Sequence, residues 1–209
     1  MTRPDAPTPR TRRGAYAKSE RRRADILAAA RHVFSTRGFR TGSLKEIAGE
    51  VGIDTSSIFH YYPNKDALLQ AILEDYDSRP EEAVSAADLR PEEIPHAFLA
   101  LARQNEHNPD VVRLYALLSV ESADPQHPSH AYFRDRYARV KREFSDAFAT
   151  MAAARMLAPG VDAQHAAEST LALWDGMQVQ WMHDPAVDVT ARLRHHLGRI
   201  TTVDLEAAP

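Results

Sequence analysis

From Ser19 onward the apolar residues of this chain recur at three- and four-residue steps, and the breaks fall at glycine and proline. That rhythm puts apolar side chains on one face of a helix. The strict alternation of a half-buried strand, bounded by turn residues, is found nowhere along the chain. Ile26, Ala30, Val33 and Phe34 mark the face of a first helix, Ser19 to Arg37, which Gly38 stops. Beyond Pro80 the punctuation is mostly proline: Pro91, Pro95, Pro109, Pro125, Pro128, Pro159 and Pro185. Proline suits a first helical turn but not an interior, so these positions predict helices near 91–107, 109–122, 128–155, 162–182 and 187–201. The expected fold class is all-α, with about nine helices and no internal repeat.

The segment 43–65 is the most specific part of the pattern. Ser43 followed at the third position by Glu46 is a capping box, in which the two side chains satisfy each other's orphan backbone donors. Leu44, Ile47, Ala48 and Val51 form the apolar face of the helix it starts, and Gly52 ends it. Asp54 offers an N-cap for a short helix, Thr55 to Tyr61, closed by Pro63; a further helix starts near Lys65 and presents Leu68, Leu69, Ile72, Leu73 and Tyr76. Two helices joined by so tight a turn make a helix-turn-helix, whose second helix enters the major groove of DNA. The short helix suits that task. Thr55, Ser56 and Ser57 sit near its start, Phe59 offers an apolar face to a thymine methyl, and His60, Tyr61 and Lys65 can reach phosphates. Lys45 can reach a base edge or a phosphate from the preceding helix. Taken singly, serine or threonine at a helix start is more often a simple cap and Phe59 more often core; Ile58 and Tyr62 are read as core.

Charge points the same way. The formal net charge of −3 conceals 12 Lys and Arg against 5 Asp and Glu in residues 1–50, and 14 against 24 in the remainder. A cationic end on an anionic body suits a chain that meets a polyanion at one end, although a solvated basic tail has the same composition. Residues 1–18, with Pro4, Pro7, Pro9, Arg10, Arg12 and Arg13, are expected to be disordered for want of apolar surface. Cysteine is absent, which excludes disulfides, thiolate metal sites and cysteine nucleophiles. With neither a secretory h-region nor an apolar run of ~18 residues, the expected location is the cytoplasm.

The stretch Ser43-Leu44-Lys45-Glu46-Ile47-Ala48-Gly49-Glu50-Val51-Gly52-Ile53-Asp54 resembles the second helix and turn of TetR/AcrR-type transcriptional regulators. Its continuation, Thr55-Ser56-Ser57-Ile58-Phe59-His60-Tyr61-Tyr62-Pro63-Asn64-Lys65-Asp66-Ala67-Leu68-Leu69, resembles their recognition helix and the start of their fourth helix. The likeness covers roughly residues 20–80, with Arg31, Phe34 and Gly38-Phe39 agreeing in the first helix. Asp54 stands where serine or threonine is usual, Phe59 where tyrosine is, and Tyr61 where histidine is. Base contacts therefore do not transfer from a relative.

The resemblance implies a basic tail (1–18), a helix-turn-helix domain (19–64), an effector-binding and dimerisation domain (65–203) and a short tail (204–209). It implies a homodimer on a palindromic double-stranded DNA operator, acting as a repressor that a small apolar or amphipathic effector releases. Two apolar stripes near the C-terminus fit either a core or a dimer seam, and the resemblance favours the seam: Ala166, Thr170, Leu173, Met177 and Trp181, then Val189, Leu193, Leu197 and Ile200. Phe98, Asn105, Tyr115, Glu121, Phe133, Tyr137, Phe144, Trp174 and Gln178 mix aromatics with few polar groups, as an effector pocket does; core packing suits each of them as well.

Other readings remain. One is a DNA-binding regulator with no small effector, acting as an activator or under a protein partner; another is an interaction module that has lost DNA, which the cationic end opposes. A helical-bundle enzyme would need chemistry that the spacings do not offer. His127 and His130 flank prolines, His195 and His196 cannot converge on one point of a helix, and no His-Glu-x-x-His or glycine-rich phosphate loop occurs. No metal or cofactor is expected.

Overall fold

The computed structural model describes residues 9–77 and 89–206. Among them lie nine helices: α1 (Pro9–Arg37), α2 (Leu44–Val51), α3 (Thr55–Ile58), α4 (Lys65–Asp77), α5 (Ile94–Glu106), α6 (Pro109–Glu121), α7 (His130–Ala153), α8 (Ala163–His183) and α9 (Val189–Ile200). The described residues contain no strand, and their extended pairing is an isolated antiparallel bridge, Leu157 to Thr201. No described helix is long and apolar enough to cross a membrane.

Helix α1 begins ahead of the expected Ser19. Residues 9–18, expected to be disordered, continue the helix, and residues 1–8 lie outside the described residues. A proline costs nothing at the start of a helix, and the arginines and alanines that follow are good helix formers. At the other end the expected tail is partly packed: Leu205 is buried in the core, and its carbonyl accepts a hydrogen bond from Arg194.

The chain divides into two compact units, Met1–Glu74 and Asp75–Pro209, a boundary later than the expected 64/65. The shift has a packing cause, since Leu68, Leu69, Ile72 and Leu73 of α4 are all buried and fall in the first unit. That unit also buries Ile26, Ala30, Val33 and Phe34 of α1 together with Phe39, Ile47, Ala48 and Ile58. Phe39 meets Phe34 edge-on at 5.3 Å. Gly42 is needed beside them: a Cβ there would sit 3.0 Å from the Gly38 carbonyl oxygen and from the Phe34 and Val33 side chains.

The second unit is built on Ile94 and Leu99 of α5, Ala147, Phe148 and Met151 of α7, Ala166, Ala167 and Trp174 of α8, and Leu193 and Leu197 of α9. Most of the residues expected at a dimer seam are covered by the chain's own fold. Ala166, Thr170, Met177, Val189, Leu193 and Leu197 are buried inside the chain's own fold, while Leu173, Trp181 and Ile200 are partly buried. Periodicity shows that a face is apolar; it does not show whether the covering helix belongs to the same chain. Here α8 and α9 turn their apolar stripes inward and leave Ala172, Val179 and Gln180, with Ala191, His195 and Gly198, exposed.

Candidate nucleic-acid interface and cavity

The helix-turn-helix is fixed by caps at both ends of α2. The Ser43 hydroxyl accepts from the Glu46 backbone N–H at 3.2 Å, and the Glu46 carboxylate accepts from the Ser43 N–H at 2.9 Å. These bonds from the Ser43 backbone and hydroxyl hold the exposed Glu46 carboxyl below the usual range. At the other end Gly52 takes φ 68°, and the Ile53 N–H returns to the Ala48 carbonyl at 3.0 Å. That left-handed cap sets the sharp turn into α3.

Helix α3 is shorter than expected. Regular helix covers Thr55–Ile58, and 59–61 form a turn in which both Tyr61 and Tyr62 N–H groups donate to the Ile58 carbonyl at 2.9 Å. Pro63 cannot donate to a longer helix, so the ladder closes there. Asp54 holds the N-cap position without a side-chain cap bond; its backbone carbonyl accepts from the Ser57 N–H at 2.9 Å.

The burial pattern separates structure from surface within this element. Ile58 and Tyr62 point inward, as expected, with the Arg23 guanidinium 4.9 Å above the Tyr62 ring. Lys45, Ser56, Phe59 and His60 are exposed, and Thr55, Ser57 and Tyr61 are half-buried. Phe59 is 50 % exposed, a large apolar side chain left open beside a buried isoleucine. Lys65 is half-buried and already engaged. Its ammonium donates to the Arg40 carbonyl at 3.3 Å and lies 4.5 Å from the Phe39 ring centroid.

The second unit contains a cavity of about 710 Å³, within the usual size range of small-molecule sites. Eight of the nine proposed lining residues meet there: Phe98, Asn105, Tyr115, Phe133, Tyr137, Phe144, Trp174 and Gln178. Phe98 and Phe144 stack at 4.8 Å, and Tyr115 meets Phe133 edge-on at 5.8 Å. Glu121 is not among the lining residues. It ends α6, where the chain turns away, and its carboxylate lies 3.6 Å from the His127 Nε2.

The polar end of the cavity escaped the sequence. Arg136 lies 5.1 Å from both the Tyr76 and Tyr115 ring centroids, and Asp175 lines the same wall. Burial raises the Asp175 carboxyl, opposed by Arg136; burial also raises Tyr137, with Asp175 adding to the rise. Tyr115 is raised by burial and by its neighbour Tyr132, whose hydroxyl is 3.1 Å away. A charged residue on a long helix is by default assigned to solvent. The usable signal was that Arg136 and Asp175 each adjoin an aromatic residue already assigned to the pocket.

Two family models match the chain, "Bacterial regulatory proteins, tetR family" over residues 26–72 and "BetI-type transcriptional repressor, C-terminal" over residues 120–202. The chain belongs to the TetR family. The curated relatives it matches are helix-turn-helix transcriptional regulators. Similar curated proteins are the regulator UidR of Escherichia coli, 41% identical over 51 residues, and the repressor KstR2 of Mycobacterium tuberculosis, 26% identical over 129 residues. The first match covers 24% of this chain and 26% of UidR, the second 60% and 64%. The chain thus aligns with less than two thirds of either relative's length. A TetR-family regulator from Agrobacterium tumefaciens shares the fold at a TM-score of 0.74 and 21% identity, over 88% of this chain and 99% of that one. These TetR-family neighbours are regulators and not enzymes. Among the described residues no group of three or more His, Asp or Glu is placed to hold a metal ion.

Proposed function

We propose that this TetR-family protein is a repressor that binds a palindromic operator as a homodimer and is released by a small molecule in the cavity of its second unit. One observation carries the DNA-binding half. The capped α2–α3 turn leaves Ser56, Phe59 and His60 exposed, flanked by Thr55, Ser57 and Tyr61, while Ile58 and Tyr62 anchor it from beneath. Short hydroxyls, an open aromatic face and phosphate-reaching side chains suit a major groove. Lys45 and Lys65 would add phosphate contacts. The likeness to the repressor KstR2 and to BetI-type repressors favours repression.

So few contacts grip one half-site weakly. Joining two copies multiplies effective concentration and makes the operator symmetric. With the apolar stripes of α8 and α9 buried, the dimer seam falls to their exposed face, on Ala172, Val179 and Gln180 of α8 and Ala191, His195 and Gly198 of α9. An effector that fits only the conformation with mis-spaced reading heads weakens DNA binding by the same factor that DNA weakens effector binding, typically about 1–3 kcal/mol.

Selection of bound duplexes from random DNA by the full chain tests this reading, followed by a metabolite screen for release. An enriched inverted repeat, two chains per duplex and at least one releasing metabolite are expected. A pool that never enriches removes the DNA-binding half, and a selected duplex that no metabolite releases removes the effector half.

A further inference from the structure

The cavity of the second unit and the exposed face of α8 share a residue. Val179 lines the cavity, and it also stands on the outer face of α8 with Ala172, seven residues before it. Val120, in the last turn of α6, lines the same cavity, and α6 packs against α8. Val120 is 74 % exposed and Val179 45 %. A single open valine is ordinary on a protein surface. Two that also line one cavity mark where its apolar lining runs out to the surface.

The charges of α8 and α9 say what fits over that lip. Helix α8 carries Glu168 and Asp175 and no lysine or arginine, whereas α9 carries Arg192, Arg194 and Arg199 and no aspartate or glutamate. Glu168, Arg192 and Arg199 are exposed. A two-fold pairing that sets α9 against its own copy brings like charges together; one that sets α9 against the partner's α8 brings opposite charges together. Val179 lies on the α8 face that the second pairing covers.

We propose that the cavity opens onto the dimer seam at Val120 and Val179, and that a second copy closes it by laying its α9 across α8, so that the effector site is complete only in the pair. This rests on the reading of the cavity as the effector site and of the exposed α8 face as the seam.

Ala172 belongs to that face and is not among the described lining residues, so Ala172→Arg separates the copies and leaves the wall intact. The chain has no cysteine, and Val120→Cys and Val179→Cys each supply a single thiol. In full-length pairs, verified by sedimentation, N-ethylmaleimide should alkylate either thiol at least about tenfold more slowly than in the Ala172→Arg background. Arg142→Cys, on an exposed part of α7, should react alike in both. The neutral dye N-phenyl-1-naphthylamine should leave the pair at least about tenfold more slowly than the single copy. By linkage it should also tighten pairing by the factor by which pairing tightens the dye. Thiols at positions 120 and 179 that react alike in pairs and single copies overturn the shared site, and a dye that still binds leaves the cavity standing as a ligand site. A parent chain that sediments as one copy, or an Ala172→Arg chain that stays paired, overturns it by taking the seam off α8. If the thiols are protected but the dye binds neither form, the seam stands, and the shared site falls together with the effector reading.

Discussion

At the scale of single residues, the same side chain can hold the fold and serve the function, and its contacts say in what proportion. Lys65 is the clearest case. The sequence assigned it to phosphate, and the structure gives it two aromatic faces and the Arg40 carbonyl. An ammonium carries three donors, and the Arg40 carbonyl takes one of them. Lys65→Ala should lower the melting temperature, weaken specific and random DNA alike, and make the salt dependence of binding shallower by about one phosphate's worth. An unchanged salt slope would leave Lys65 a purely structural role. Glu46 gives a pH prediction. Its folded pKa is depressed, so its contribution is complete above the ordinary carboxylate range and is lost as pH falls through the lowered value. The difference in melting temperature between parent and Glu46→Ala should narrow on acidification through that range. Other residues were not legible beforehand for a physical reason. Arg136 lies among charged neighbours on α7, a pattern that does not distinguish a solvated charge from one turned into a cavity, whereas Asp175 stands alone in an uncharged stretch and its signal is the adjoining Trp174.

At the scale of elements, caps and prolines made the boundaries readable, because they act within a few residues of themselves. The helices expected at 91–107, 109–122, 128–155, 162–182 and 187–201 appear as α5 to α9 with ends shifted by a few residues. Gly52 is needed for its φ alone, since a Cβ there meets nothing within 4 Å. Gly52→Ala should therefore cost roughly 1–2 kcal/mol from backbone strain, readable in a thermal melt. What the sequence left open was the direction of the apolar stripes of α8 and α9, which depends on packing partners distant along the chain. That distinction is testable. Leu197 is fully buried, and Leu197→Ala should cost about 2–5 kcal/mol of stability. Ala172 is exposed, and Ala172→Arg should leave the melt of the isolated chain nearly unchanged while shifting sedimentation from two copies to one.

For the whole molecule, the opposed charges of the two ends and the division into two units support one economy of function: a cationic unit for a polyanion and a second unit with a cavity. Among the described side chains of α1 the first that is fully buried is Ile26, so deleting residues 1–17 should leave the melt intact and lower affinity for random duplexes. The central claim is that residues on the α3 turn read sequence. Its most direct measurement is the affinity of a triple variant, Thr55→Ala with Ser56→Ala and Phe59→Ala, for a selected duplex and for a scrambled one. Each lost base contact is worth about 1–3 kcal/mol, so affinity for the selected duplex should fall by two orders of magnitude or more. Affinity for the scrambled duplex should stay within a few-fold of the parent's, because the phosphate contacts are untouched. A variant that keeps the parent's ratio between the two duplexes would contradict the account.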